Sequence, residues 1–385
     1  MARQKHIYLD YAAATPIAPL VLKSMRPFFM SNFANPDSIH TLGKNTGIAL
    51  KIARQNIAQT LNCLPEEIIF TSGGTESNNL SIIGAAMAYK NQGNEIITSK
   101  IEHSSVLQTC KYLETQGFIV HYISTDRNGT LDLQEFKSKI TKKTILASIM
   151  MANNEIGTIQ ELKKIGTVCK KHKIILHSDA CQALNHLEID TKKLNIDLLS
   201  FSGSKIYGPK GIGAIYKKSN VKIAPQIHGG GQEFDLRSGT PNIPGIIGFE
   251  KALILSQENQ KLETKRISKL KSNFIDKIKK SIPTAIINAD IEKTLPNIIS
   301  LTIPHLRNQL LLNHLNNNKI YCSTGSACLN NKNDTSHVLK ALGLGSMAIN
   351  CTIRISMGHQ TTQEDMNNLL KQINQINHQT TKAIK

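Results

Sequence analysis

Six largely apolar runs of strand length recur along the chain, at 67–71, 95–98, 118–122, 144–150, 174–178 and 196–201. Helical patterns lie between several of them, at 78–90, 106–115 and 161–171. A strand that is apolar throughout, not at every second residue, is covered on both faces. Parallel neighbours need a crossover of a dozen residues or more, usually a helix. The alternation therefore predicts an α/β fold, a mostly parallel sheet with helices on both sides. Its core has to be aliphatic, because Trp is absent and aromatics make up only 5% of the 385 residues. From 245 to 280 the pattern becomes one long helix rich in Lys, Glu and Gln. Short strands at 297–303 and 352–356 and two further helices follow, which reads as a smaller α+β unit. The last helix is expected to start near Thr361, with Glu364 three residues on at capping-box spacing. The expected division is a large domain over 16–260 and a small domain made of 1–15 plus 261–385.

The formal net charge is +18. Its basic residues are dispersed, and short runs such as Lys170-Lys171-His172-Lys173 do not reach the length of a basic tail. The excess reads as compositional, so neither direct nucleic-acid binding nor a membrane partner is expected. No apolar run approaches the roughly 20 residues of a membrane span. The N-terminal MARQKHIYLDYAAATP has no signal-peptide pattern, and a cytoplasmic protein is expected. Seven cysteines, an odd number with no Cys-x-x-Cys, argue against a disulfide framework or a zinc finger. A cysteine that matters here matters as a thiol.

Ligands of an open α/β sheet bind beyond the carboxyl ends of its strands, so the residues just after each strand are the candidates. Ser72-Gly73-Gly74-Thr75-Glu76-Ser77 leads from a strand into a helix. Small residues there let backbone N–H groups and the Thr75 hydroxyl approach a phosphate, although a plain helix cap has the same look. His103, after the next strand, either covers a flat ligand or is structural. Asn153-Asn154 suits a turn. Asp179 ends a buried strand, where a carboxylate needs a partner; it is a helix cap or the acid that keeps a ring nitrogen protonated. Lys205, in SFSGSKIYGPKG, stands where the following strand breaks into a loop. Pyridoxal phosphate needs a lysine, an acid opposite its pyridine nitrogen, a phosphate cradle and a group over its ring. Lys205, Asp179, the 72–77 loop with Ser202, and His103 supply all four. In the last third, Cys328 opens a polar, aperiodic stretch that reads as a mobile loop, whereas Cys322 reads as core. Arg354 interrupts an apolar strand and calls for a carboxylate, either a substrate's or a structural partner's.

Together these stretches resemble the cysteine desulfurases of the NifS/IscS type, within the fold-type-I pyridoxal-phosphate enzymes. YLDYAAATP, FTSGGTESNN, EHSSV, NNEIG, HSDACQ, SFSGSKIYGPKG, RSGTPN, STGSAC and IRISMG carry the likeness, in order, from Tyr8 to Gly358. The resemblance implies a seven-stranded, mostly parallel sheet and a homodimer. It makes Lys205 the cofactor lysine, Asp179 the partner of the ring nitrogen and Gln182 that of the ring hydroxyl. Gly74, Thr75, Ser202 and Ser204 would hold the phosphate, with Thr240 reaching in from the second subunit. His103 would lie over the ring, Asn154 and Arg354 would bind the substrate carboxylate, and Cys328 would be the nucleophile. L-Cysteine would give L-alanine and a Cys328 persulfide for an iron–sulfur scaffold protein or a tRNA-thiolation enzyme.

The sequence departs from the family pattern in places. Ser204 stands where the family usually has a histidine, a change that puts the strength of phosphate binding in question. Gln232 also replaces a frequent histidine, and the C-terminal extension used by some members to dock a scaffold looks short. A class-V aminotransferase or a selenocysteine lyase would share Lys205, Asp179 and His103, but an aminotransferase has no use for Cys328. A non-catalytic tRNA- or partner-binding homologue would have no need of Lys205, Asp179, Arg354 and Cys328 together.

Overall fold

A computed structural model of the chain describes residues 6–325 and 335–384. Cys328, and with it all but Thr335 of the expected mobile loop, lies outside the described residues. The strands are β1 (Ile7–Tyr8), β2 (Ile68–Thr71), β3 (Glu95–Ser99), β4 (Ile119–Ile123), β5 (Thr144–Ser148) and β6 (Ile175–Asp179). They continue as β7 (Leu198–Ser202), β8 (Gly213–Lys217), β9 (Ile286–Ile287), β10 (Ile298–Thr302), β11 (Ile320–Tyr321) and β12 (Thr352–Ser356).

Seven strands form one sheet in the order β2-β8-β7-β6-β5-β3-β4. All its pairings are parallel except those of β8, which runs antiparallel to both β7 and β2. Most strand residues alternate between the two faces, although in β5 the adjacent Ile145 and Leu146 share one cluster. Ile97, Ala147, Leu176, Leu199 and Ala214 enter one apolar cluster. Their neighbours Ile96, Leu146, Ile175, Leu198 and Ile215 enter the cluster on the other face. Side chains of a strand alternate between faces, so continuous apolar runs are what two covered faces require. The exception is β4, an edge strand whose Ile119 is exposed and whose next three residues are half-buried.

A second sheet, β12-β10-β9, is antiparallel, and β1 pairs in parallel with β11 beside it. Ile7 and Leu9 share its apolar cluster with Leu301, Ile353 and Ile355. The helix Ile243–Ser281 joins the two cores. At 39 residues it is about 58 Å long. Phe249 and Leu253 near its start belong to the first cluster, and Ile267, Phe274 and Ile278 to the second.

Two elements differ from the sequence reading. The final helix is capped one residue later than expected: Thr362 Oγ1 accepts from Asp365 N at 3.2 Å, and Asp365 Oδ2 accepts from Thr362 N at 2.9 Å. Thr361 instead accepts from Gly358 N. The helix Thr41–Thr60 was not legible, because Gly43 and Gly47 weaken a helical pattern. Both glycines have a packing reason. A Cβ at Gly43 would lie 2.5 Å from the Ser38 carbonyl, and one at Gly47 would lie 3.0 Å from that of Pro36. Among the described residues no helix is long and apolar enough to cross a membrane.

Candidate active site

Neighbouring parallel strands end on the same side of the sheet, and the loops that follow them line one cavity of about 210 Å³. Gly74 and Thr75 follow β2, His103 follows β3, and Asn154 follows β5. Asp179 and Gln182 come from the end of β6, and Ser202, Ser204 and Lys205 from the end of β7. Arg354 enters from β12 of the second sheet. Ten of the expected site residues thus converge. Thr240 is exposed and does not line the cavity of its own chain. Cys328 lies outside the described residues.

Asp179 is the best-anchored of these groups. Its Oδ1 accepts from Cys181 N at 2.9 Å and its Oδ2 from Asn78 Nδ2 at 2.7 Å. Asn78 Nδ2 also donates to Ser105 Oγ at 2.9 Å. His103 caps the helix Ser104–Thr115: its Nδ1 accepts from Ser105 N at 3.1 Å and lies 2.8 Å from Ser105 Oγ. A ring nitrogen that accepts carries no proton, so Nε2 of the neutral ring is the atom left to hold or give one. Asn78 and Ser105, which sequence reasoning did not single out, thereby tie His103 to Asp179. Gln182 Nε2 donates to the Ala12 carbonyl at 2.9 Å, and Lys205 Nζ donates to that of Ala13.

The end of the cavity near β2 and β7 is built for an anion. The 16-residue helix Gly74–Tyr89 points its N-terminus there. A Cβ at Gly74 would stand 2.6 Å from Cys181 Sγ, so only glycine lets this backbone close in. The hydroxyls of Ser202 and Ser204 lie 3.0 Å apart. Lys210, the other lysine of SFSGSKIYGPKG, lines the adjoining concavity with Ser72, Thr75 and Ser204. Its signal was in plain sight, since it shares that motif with Lys205. A primary amine, a carboxylate aimed into the cavity, a histidine and a small-residue anion cradle are a donor set that fits pyridoxal phosphate.

Arg354 is only 2% exposed. Its Nη2 donates to Asp10 Oδ1 at 2.6 Å and its Nη1 to the Asn154 carbonyl at 2.9 Å, while Nε has no partner among the described residues. Asp10 is thus a protein carboxylate for this arginine, which still lines the cavity. Cys322 is half-buried against the second core, and burial pushes its thiol well above the usual range. Burial does the same to Cys181, with Asp179 adding to it.

Behind the site, His177 Nδ1 lies 2.8 Å from Ser148 Oγ and its Nε2 lies 2.9 Å from Ser200 Oγ. Burial pushes its imidazole down to about 4, against the opposing pull of Asp179. Between pH 6.5 and about 4 the unfolded chain takes up this proton and the folded chain does not, so stability is lost as pH falls through that window. His177→Gln is expected to flatten the dependence of unfolding free energy on pH between 5 and 6 by about 1.4 kcal/mol per pH unit, one proton's worth. Urea titrations at several pH values measure it, and an unchanged slope would mean that His177 is already charged in the fold. Glu102 works in the opposite sense. Burial lifts its carboxyl to about 8, so its contribution is present below about 4.5 and is lost as pH rises towards 8.

Comparison with known proteins agrees with this geometry. The aminotransferase class-V family model matches residues 7–369. The cysteine desulfurase IscS of Clostridium botulinum is 44% identical over 374 residues, 97% of this chain and 94% of the relative. Among solved structures, a NifS-like protein superposes with a TM-score of 0.91 at 37% identity, covering 97% of this chain and 99% of its own. The structure of SspA in complex with cysteine gives a TM-score of 0.81 at 38% identity, over 91% and 98% of the two chains. The chain belongs to the class-V aminotransferase family, among its pyridoxal-phosphate-dependent cysteine desulfurases.

Proposed function

We propose that this cysteine desulfurase takes the sulfur of L-cysteine onto Cys328 and hands it on as a persulfide. The observation that supports this most is the meeting of Lys205, Asp179, His103 and Arg354 in one cavity, drawn from both sheets. Pyridoxal phosphate, when bound, supplies the sink for the electrons of the substrate Cα–H bond. Asp179 would hold the proton on its ring nitrogen, Gln182 would meet its ring hydroxyl, and His103 would lie over its face. Gly74, Thr75, Ser202 and Ser204 would hold its phosphate, with Lys210 close by and Thr240 contributed by a second subunit.

The chain's own residues then act in sequence. Arg354 and Asn154 bind and orient the substrate carboxylate. Lys205 Nζ removes the Cα proton. The Cys328 thiolate attacks the substrate sulfur, and the S–S bond forms as the Cβ–S bond breaks. The carbon side gains the electron pair and a proton and leaves as L-alanine, and Cys328 carries the extra sulfur. Two equivalents of an external thiol would release that sulfur as sulfide and leave as a disulfide. The natural acceptor in this proposal is an iron–sulfur scaffold protein or a tRNA-thiolation enzyme. Mass spectrometry of the peptide bearing Cys328, after L-cysteine without reductant, tests the assignment. It should show one added sulfur, and an unmodified peptide after turnover would contradict it.

The proposed homodimer rests on an apolar surface. Leu20, Leu22, Phe29, Met30, Phe33, Leu42, Ile48 and Ile52 are exposed, and Ile39 is 89% exposed. So dense a set of exposed apolar side chains marks an interface. The double variant Phe33→Glu, Ile39→Glu is expected to sediment as a monomer where the parent sediments as a dimer. It should also bind cofactor less tightly, because each site would lose the partner's Thr240. A parent that is monomeric would contradict the dimer. The division into a cofactor domain over 16–260 and a second domain of 1–15 plus 261–385 belongs to the same proposal.

A further inference from the structure

We propose that Glu155 is a positioning residue that fixes both chain ends bracketing the Cys328 segment to the wall of the cavity. The proposal rests on the reading of Cys328 as nucleophile. Glu155 is 2% exposed, a carboxylate buried outside the cofactor and substrate groups described above. Its Oε2 accepts from Ser336 Oγ at 2.5 Å. Ser336 in turn caps the helix His337–Ala341, accepting from Leu339 N at 3.0 Å. His337 Nε2 donates to the Glu102 carbonyl at 2.8 Å, next to His103. This is where the chain returns from the Cys328 segment. Where it departs, Gly325 has φ +137° and packs so closely on the same carboxylate that a Cβ would lie 2.7 Å from Oε2. That oxygen therefore lies against Gly325 before the segment and binds Ser336 after it.

Two further features set Glu155 apart from an ordinary buried acid. Its Oε1 has no partner among the described residues, and an unpaired buried carboxylate oxygen costs stability. Its backbone is also locked to the substrate arginine. Glu155 N donates to Asn153 Oδ1 at 2.8 Å, and Asn153 Nδ2 donates to the Ile101 carbonyl at 2.8 Å. The preceding carbonyl, that of Asn154, accepts from Arg354. Arg354 and Ser323 exchange backbone hydrogen bonds in both directions, at 2.7 and 3.2 Å. The group that orients substrate and the stem that leads to the thiol thus share one frame. In-line attack of sulfur on sulfur needs that registration, because a misplacement of about 1 Å costs about 100-fold in rate.

The test uses two substrates on the cofactor-loaded enzyme. L-Cysteine needs the Cys328 thiol. L-Cysteine sulfinate does not, since its C–S bond can break to sulfur dioxide and, with one proton, alanine. Glu155→Ala is expected to lower kcat for sulfide release from L-cysteine by about 100-fold with little change in KM. Alanine formation from the sulfinate should stay within about twofold. Ser336→Ala should act in the same direction, and Glu155→Gln, whose amide oxygen still accepts from Ser336, should recover most of the rate. Equal loss with both substrates in Glu155→Ala and Ser336→Ala would overturn the proposal, as would a parent rate with L-cysteine in both. Cys328→Ala run in parallel separates the two readings. If it still releases sulfide, the nucleophile is wrong. If it does not, while the Glu155 variants work at the parent rate, only the positioning role fails.

Discussion

Cys328→Ala is expected to cut sulfide release from L-cysteine by about 1000-fold or more while pyridoxal phosphate stays bound. The reason is the state of four other thiols. Cys181 lines the cavity itself, but burial, helped by Asp179, holds its thiol far above neutral pH. Cys322 precedes the Cys328 segment, and burial holds its thiol up as well. Cys110 and Cys169 are deep in the fold, with burial pushing each thiol up to about 12. The thiolate is the nucleophile, and each of these groups offers almost none of it at pH 7. Absorbance of the bound cofactor and sulfide assays on the same sample check the prediction. Sulfide at the parent rate would mean that another thiol accepts the sulfur. The cofactor groups are untouched by the change, so the visible spectrum should match that of the parent before substrate is added.

Lys205→Ala carries the second large effect. It is expected to abolish alanine and sulfide formation and to remove the visible band that depends on the cofactor's covalent link to lysine. Loss of a positioned proton-transfer group alone costs about 100- to 10,000-fold, and here the proposed cofactor lysine is lost with it. Lys210 does not replace it: it lies in the concavity beyond Ser204 and is not among the residues lining the main cavity. Lys205→Ala should leave the fold intact, because the residue ends a three-residue turn and is only part-buried. A variant that kept both the band and turnover would move the lysine role elsewhere.

Much of the scaffold was legible because the sheet is covered on both faces. β2, β3, β5, β6 and β7 are buried along their whole length, so their apolar runs stood out. β8 did not stand out from pattern alone. Its first residue is Gly213, where a Cβ would lie 2.6 Å from the Phe201 carbonyl, and glycine weakens a strand signal. The chemistry-bearing residues were legible by type and by their place at strand ends. Their mutual wiring was not. Arg354 plainly needed a carboxylate, but Asp10 lies 344 positions away in sequence. Asn78 could be seen only as part of a helix start, while its amide joins Asp179 to Ser105 across separations of 101 and 27 residues. Glu155 meets Ser336 over 181 positions. Contacts of that range come from topology, which a periodicity cannot report.

The most direct test of the account takes the purified, cofactor-loaded protein and records its visible absorption before and after L-cysteine, with alanine and sulfide assayed in the same cuvette under a reducing thiol. The account predicts a shifted band and equal amounts of the two products. A shift without sulfide, or a protein that stays colourless when pyridoxal phosphate is supplied, would contradict it.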